Sequence, residues 1–346
     1  MTNFGSFKFV SRISDGSEQL PYIIRDYYDL LALKESVDEG IDFEGKHFKQ
    51  VCDIDMSKYP WEGIGLYADA GKDCRQFRGI YDGDNHQILN LKFKTPCEDT
   101  GFFNCVGDGG TIKNMVIRLA DDGLDKSGFN SINSDYKSKD ELLKAIPVGD
   151  PNTLYWVTED TDQKKAVWYW DGTEYKAYAM GAGVLVGYAI KHVVIDNVKT
   201  YGNLGSEKLP CSHNGAGIII GNNRVDQPAS TDQYIGLVMT NCESNVNIVG
   251  SYTKIGGIIA YNAGNLSITD CTSTGNITSY YKTNKIEDGG FGGIVGNDGY
   301  SPFGRVWLEN ITSLGKITTR ITIEDVVNGP GQSGYGSIIG HTFQYL

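Results

Sequence analysis

Gly217-Ile-Ile-Ile-Gly221 is the stretch whose reading decides the fold. The same phrase of glycine, aliphatic residues and a small residue recurs at Gly183-Val-Leu-Val-Gly187, Gly256-Gly-Ile-Ile-Ala260, Gly292-Gly-Ile-Val-Gly296 and Gly336-Ser-Ile-Ile-Gly340. Its closing residues are 34, 39, 36 and 44 positions apart. A second phrase trails the first four copies, opening at Asn197, Asn241, Asp270 and Asn310. A period in this range marks a repeat architecture, in which each unit buries its apolar face against its neighbours.

Helical repeats need apolar residues at i, i+3 and i+4 over ten or more positions. The apolar runs here are short, rich in Val and Ile, and bounded by Gly, Asn and Asp, which is the pattern of short strands between turns. Stacked in register at about 4.8 Å, such strands form a β-helix. Glycines at fixed offsets suit its corners, where a positive φ is expected. Asn114, Asn197, Asn241, Asp270 and Asn310 should align. Met115, Val198, Cys242, Cys271 and Ile311, one position on, should then face inward, and the Asn side chains can bond along a ladder.

The chain has 346 residues and 44 glycines, and its net charge of −12 argues against a nucleic-acid partner. No apolar stretch is long enough for a membrane span, and Met1-Thr-Asn-Phe-Gly-Ser6 does not read as a secretory signal. The seven cysteines are irregularly spaced and include no C-x-x-C pair. Cys242 and Cys271 share a repeat position and read as buried, reduced neighbours.

Residues 1–21 form a polar arm with alternating Phe4, Phe7 and Phe9. Within Tyr22–Gly40 the sequence predicts one amphipathic helix, with Asp26 as N-cap and Gly40 as its stop. Laid across the end of a strand stack, it would protect unpaired edge groups. There follow Phe43-Glu-Gly-Lys-His-Phe-Lys-Gln-Val-Cys-Asp-Ile-Asp-Met-Ser57, Pro60-Trp-Glu-Gly-Ile-Gly65 and Phe77-Arg-Gly-Ile-Tyr-Asp-Gly-Asp-Asn-His-Gln-Ile-Leu-Asn-Leu91. This order resembles the N-terminal part of proteins with GLUG repeats, whose repeat phrase is the glycine–aliphatic–glycine motif. Gly101-Phe-Phe-Asn104 looks like a degenerate first copy. The resemblance covers about residues 22–118 and 180–340. It implies an all-β, right-handed parallel β-helix with an N-terminal capping helix, and says little about activity.

Residues 120–179 break the period and read as an inserted module between 22–119 and 180–346. Ser138-Lys-Asp-Glu141 can form a capping box for a short helix through Ala145. Thr153–Thr158, Lys165–Trp170 and Thr173–Tyr178 read as a small antiparallel meander, with Asp171-Gly172 as its tight turn. This pattern looks like a module of bacteriophage tail-fibre and appendage proteins. Alternation should send some of Trp156, Trp168, Tyr169, Trp170, Tyr175 and Tyr178 outward, where flat rings could stack on sugars or a partner protein. The competing reading makes them the core of a very small module. Tyr281 and Tyr300 are further binding candidates, and Phe343, Tyr345 and Leu346 are candidates for an oligomer contact over the last repeat.

Catalytic chemistry is thin. No metal-ligand spacing occurs, and no cofactor is implied. Asp53/Asp55 and Asp82/Asp84 are the best carboxylate pairs, either for sugar cleavage or calcium, or simply as turn residues. Gly107-Asp-Gly-Gly110 lacks the Lys-Ser/Thr of a phosphate loop and reads as a turn. The leading expectation is a non-enzymatic structural protein of a bacteriophage virion, such as a tail spike, fibre or decoration subunit. It would be homo-oligomeric and contact virion proteins, a host glycan or a host protein. A bacterial cell-surface adhesin is the alternative, and a polysaccharide depolymerase the second alternative.

Overall fold

The computed structural model describes residues 14–67, 74–158, 166–212, 214–223, 236–250, 254–279, 290–298, 306–319, 334–336 and 338–342. The protein is mostly β, built on parallel sheets. The largest sheet runs Tyr22–Ile24, His47–Gln50, Ile80–Asp82, Thr111–Asp125, Val193–Leu204, Leu237–Thr240, Leu266–Thr269, Val306–Glu309, all parallel and in sequence order. Register sets one residue of each repeat on the next: Tyr22, Phe48, Tyr81, Ile112, Ile195, Met239, Ile268 and Leu308 form a single column. From Phe48 to Ile268 every member is buried. A slip of one residue would turn the whole column outward, so burial fixes the register.

Later repeats also supply strands to two further parallel sheets. One stacks Phe103–Val106, Val186–Ile190, Ile219–Asn223, Ile259–Asn262, Val295–Asp298 and Ile339–Thr342. The other stacks Gly215–Ala216, Lys254–Gly256, Gly290–Gly292 and Gly334–Gly336. The glycine–aliphatic phrase is the bend between these two sheets. Its central residues Leu185, Ile218, Ile258, Ile294 and Ile338 bond backbone to backbone along the stack at 2.9–3.1 Å, and the first four are wholly buried.

Glycine's role in the phrase differs from the expectation. None of the described phrase glycines has a positive φ. They are required by close approach instead. A β-carbon on Gly217 would fall on Ser244 Oγ and the Gly257 carbonyl, and one on Gly257 would fall on Ser273 Oγ and the Gly293 carbonyl. The left-handed corners are held by the second phrase: Asn114, Asn197, Asn241, Asp270 and Asn310 have φ between 51° and 55°. Asn and Asp tolerate this region better than other residues with a β-carbon. The expected ladder is present, with Asn197 Nδ2 donating to Asn114 Oδ1 at 2.9 Å and Asn310 Nδ2 to Asp270 Oδ1 at 3.0 Å. Asn241 steps aside and donates to Asp196 at 3.0 Å. Met115, Val198, Cys242 and Cys271 face inward as expected.

Helix α1 (Tyr27–Asp38) follows the end strand Tyr22–Ile24 of the large sheet. Asp26 caps it by accepting from the amides of Tyr28 and Asp29 at 2.9 and 3.0 Å. Leu30, Leu33 and Val37 are buried in the main core, which they share with Trp61, Phe102 and Phe103. Gly40, at φ 102°, ends the helical run.

Between Asp125 and Met180 the chain forms a separate four-stranded sheet in the order Tyr175–Ala177, Val167–Trp170, Thr153–Trp156, Ser131–Asn133. The first two pairings are antiparallel and the third is parallel. The sheet therefore has one more strand than the expected meander. Trp170 pairs with Tyr175, so the turn spans four residues, 171–174, instead of a two-residue Asp-Gly. Helix α2 (Lys139–Ala145) has its expected N-cap, with the Glu141 amide donating to Ser138 Oγ at 3.2 Å.

Candidate functional site

The aromatic candidates of the inserted sheet are mostly interior. Trp156, Trp168 and Tyr175 are buried, and Tyr169 and Trp170 half-buried. Alternation does divide them between two faces, but both faces are covered. Leu154, Trp156, Val167 and Tyr178 join the main core. Tyr155, Val157, Trp168 and Tyr175 pack with Leu142 of α2 in a small second cluster. Lys139 of α2 also lies over the Trp168 ring, 4.0 Å from its centroid. The reading of these rings as open sugar platforms is corrected accordingly for Trp156, Trp168 and Tyr175. Tyr281, Tyr300, Phe343, Tyr345 and Leu346 lie outside the described residues.

The paired aspartates are occupied in turns and ties between repeats. Asp53 accepts from the Gln87 amide at 2.8 Å, and Asp55 from Asn90 Nδ2 at 2.9 Å. Asp82 accepts from Asn114 Nδ2 at 3.0 Å and from the Asp84 amide at 2.9 Å, and Asp84 pairs with Lys49 at 3.0 Å. For Asp82, burial raises the carboxyl, but the Asn114 and Asp84 hydrogen bonds and Lys113 outweigh it and leave a net lowering. Gly107–Gly110 is a turn, closed by the Gly110 amide on the Gly107 carbonyl at 2.8 Å. Among the described residues no His, Cys, Asp or Glu group could hold a metal ion. Cys242 and Cys271 are stacked neighbours, with the Cys242 amide 3.3 Å from Cys271 Sγ, and both are free.

A different region gathers polar side chains. Where the large sheet releases the chain into the insert, strand Thr111–Asp125 bends through two left-handed residues, Asp121 at φ 49° and Gly123 at φ 72°. Such local irregularity re-aims side chains at a sheet rim. Here it lines a cleft of about 680 Å³ with Asp121, Asp122, Asp125, Lys92, Lys126 and Asn203. A second cleft of about 570 Å³ lies between α1 and the Pro60–Glu62 segment, and both clefts include Asp125 and Ser127 in their walls.

Each lysine along these clefts is ion-paired. Lys92 pairs with Asp121 at 2.6 Å, and Lys126 pairs with Asp122. Lys34 pairs with Asp38 at 2.6 Å and lies 3.6 Å from Glu62, which also bonds Lys94. The ammonium of Lys92 holds the Asp121 carboxyl below its ordinary value, and Lys94 does the same for Glu62. Asp125 accepts from the amide and hydroxyl of Ser127 at 3.2 and 3.0 Å. Asp122 Oδ1 is shielded from solvent and accepts no hydrogen bond among the described residues. At the far end Tyr27 stacks on Tyr59, with centroids 3.9 Å apart and planes 11° apart. Tyr28 is 64% exposed beside them.

Sequence reasoning did not single out this cleft. Its residues come from four separated segments that only the stack brings together. The one available signal was the break in period after Leu119.

No family model matches the chain. A protein of Evansella cellulosilytica named "Putative Gly-rich membrane protein" is 25% identical over 104 residues, which is 30% of this chain and 12% of that protein. Halomucin of Haloquadratum walsbyi is 30% identical over 113 residues, 31% of this chain and 1% of that protein. The chain thus spans a small fraction of the length of the curated relatives it matches. Among solved structures, the crystal structure of a "putative immunoglobulin A1 protease" from Bacteroides ovatus superposes with a TM-score of 0.56 at 17% identity, covering 95% of this chain and 76% of that one. At that identity the likeness concerns the fold alone.

Proposed function

We propose that this chain is a non-enzymatic scaffold whose three parallel sheets close into a right-handed β-helix, and that it presents lateral surfaces for attachment as part of a bacteriophage virion. The observation that carries the non-enzymatic reading is the use of its paired aspartates. Asp53, Asp55 and Asp82 each accept hydrogen bonds that tie a turn or join one repeat to the next. A general acid/base pair needs two carboxyls facing a shared substrate. An antiserum against the chain should label the outside of the particles that contain it, and the purified protein should release no reducing ends from host-surface polysaccharide. Labelling confined to the cell interior would defeat the attachment reading.

Cell-surface adhesion is the second reading, favoured by the partial likeness to a Gly-rich membrane protein. The two readings share scaffold and binding role and differ in which surface the antiserum labels. The depolymerase reading requires that Asp82→Asn or Asp84→Asn abolish a polysaccharide-cleaving activity.

A further inference from the structure

We propose that the pair of clefts meeting at Asp125 and Ser127 is a binding site for a neutral oligosaccharide. This rests on the attachment function proposed above and names the ligand class for it. Each cleft falls within the roughly 300–1,000 Å³ typical of ligand sites, and the two share Asp125 and Ser127 in their walls.

Charge selects the ligand. The cleft lysines Lys34, Lys92, Lys94 and Lys126 all sit in ion pairs, so a polyanion would have to displace carboxylates to reach them. The chain's net charge of −12 repels it further. An apolar side-chain surface would cover the same ion pairs and replace none of their water hydrogen bonds, which is costly. Sugar hydroxyls both donate and accept, so they can serve carboxylate, amide and ammonium groups in turn. Tyr27, which lines the second cleft, supplies aromatic surface for the C–H face of a sugar ring.

The test is calorimetric titration of the full chain with cellohexaose, maltohexaose, mannohexaose and N-acetylated chitohexaose, with heparin as the polyanion. At least one neutral hexasaccharide should bind, with a Kd of about 1 mM or tighter. Asp125→Asn and Asn203→Ala should each weaken binding about fivefold, and Tyr27→Ala about tenfold. Asp125→Asn preserves shape, so the test survives if Tyr27→Ala disturbs α1. Binding of none of the four sugars, binding of heparin in their place, or unchanged affinity in all three variants would each overturn the proposal. Sugar binding with release of reducing ends would keep the site and defeat the non-enzymatic reading. Full cell attachment by variants of a chain that binds no sugar would defeat the site and leave the scaffold standing.

Discussion

The parallel stack and the inserted sheet solve the burial problem in opposite ways. In the stack each residue meets its counterpart one repeat away, so columns such as Leu185–Ile218–Ile258–Ile294 need only matching positions. In the insert no column repeats, and each ring finds its own set of neighbours. Trp156 faces the main core and Trp168 the cluster under α2. A repeated motif can therefore be read as structure from its spacing. A dense aromatic run cannot be read as exposed or buried until both faces of its sheet are known.

The largest test of this contrast lies within the insert. Trp156→Ala should cost about 3–5 kcal/mol of global stability, because it opens a cavity in the shared core. Trp168→Ala should instead loosen α2 and the small cluster. Amide exchange should rise there while the stack amides keep their protection. Equal loss of protection everywhere in both variants would mean that the insert and stack unfold as one unit.

Gly257→Val comes next. Its side chain would meet backbone of the next repeat, and overpacking of this kind costs about 1–3 kcal/mol or more. Urea denaturation should show a lower midpoint with an unchanged slope. A neutral outcome would remove close approach as the reason for glycine in the phrase.

At the left-handed corner, Asn197→Ala should cost about 1–2 kcal/mol, through the strained backbone and the lost bond to Asn114. Asn197→Gly should cost less, since it relieves the backbone and loses only the side-chain bonds to Asn114 and Asn85. If both variants lose the same amount, the ladder outweighs the corner.

The smallest effect concerns pH. Hydrogen bonds from the Glu174 amide and from the hydroxyl and amide of Thr173 hold the exposed Asp171 carboxyl at about 2. A lowered folded pKa stabilises above the ordinary value of 3.8 and is lost as pH falls through about 2. Amide exchange at Glu174 should accelerate across that acid window. Asp171→Asn should flatten the dependence, and a turn equally protected at the acid end would exclude this capping role.

Much of the stack was legible in the sequence, and for a physical reason. Repetition multiplies a weak local signal, and register follows once one face must be buried. The Asn column, the Asp26 and Ser138 caps and the inward Cys242 and Cys271 all follow from local pattern. Two readings depended on neighbours in space. Glycine was assigned to positive φ when its true constraint was the backbone of the adjacent repeat, and of the two readings of the aromatic run, outward platform or module core, packing gives Trp156, Trp168 and Tyr175 to the core.

The sequence by itself determined the strand-rich repeat, its period, and where that period is interrupted, because these depend on residues close together in the chain. Only the tertiary structure decided which glycines are crowded, which faces of the insert are covered, and that Tyr27, Glu62, Asp125 and Asn203 border two clefts with Asp125 and Ser127 in common. Those facts depend on contacts between segments tens of residues apart, and no local pattern encodes them.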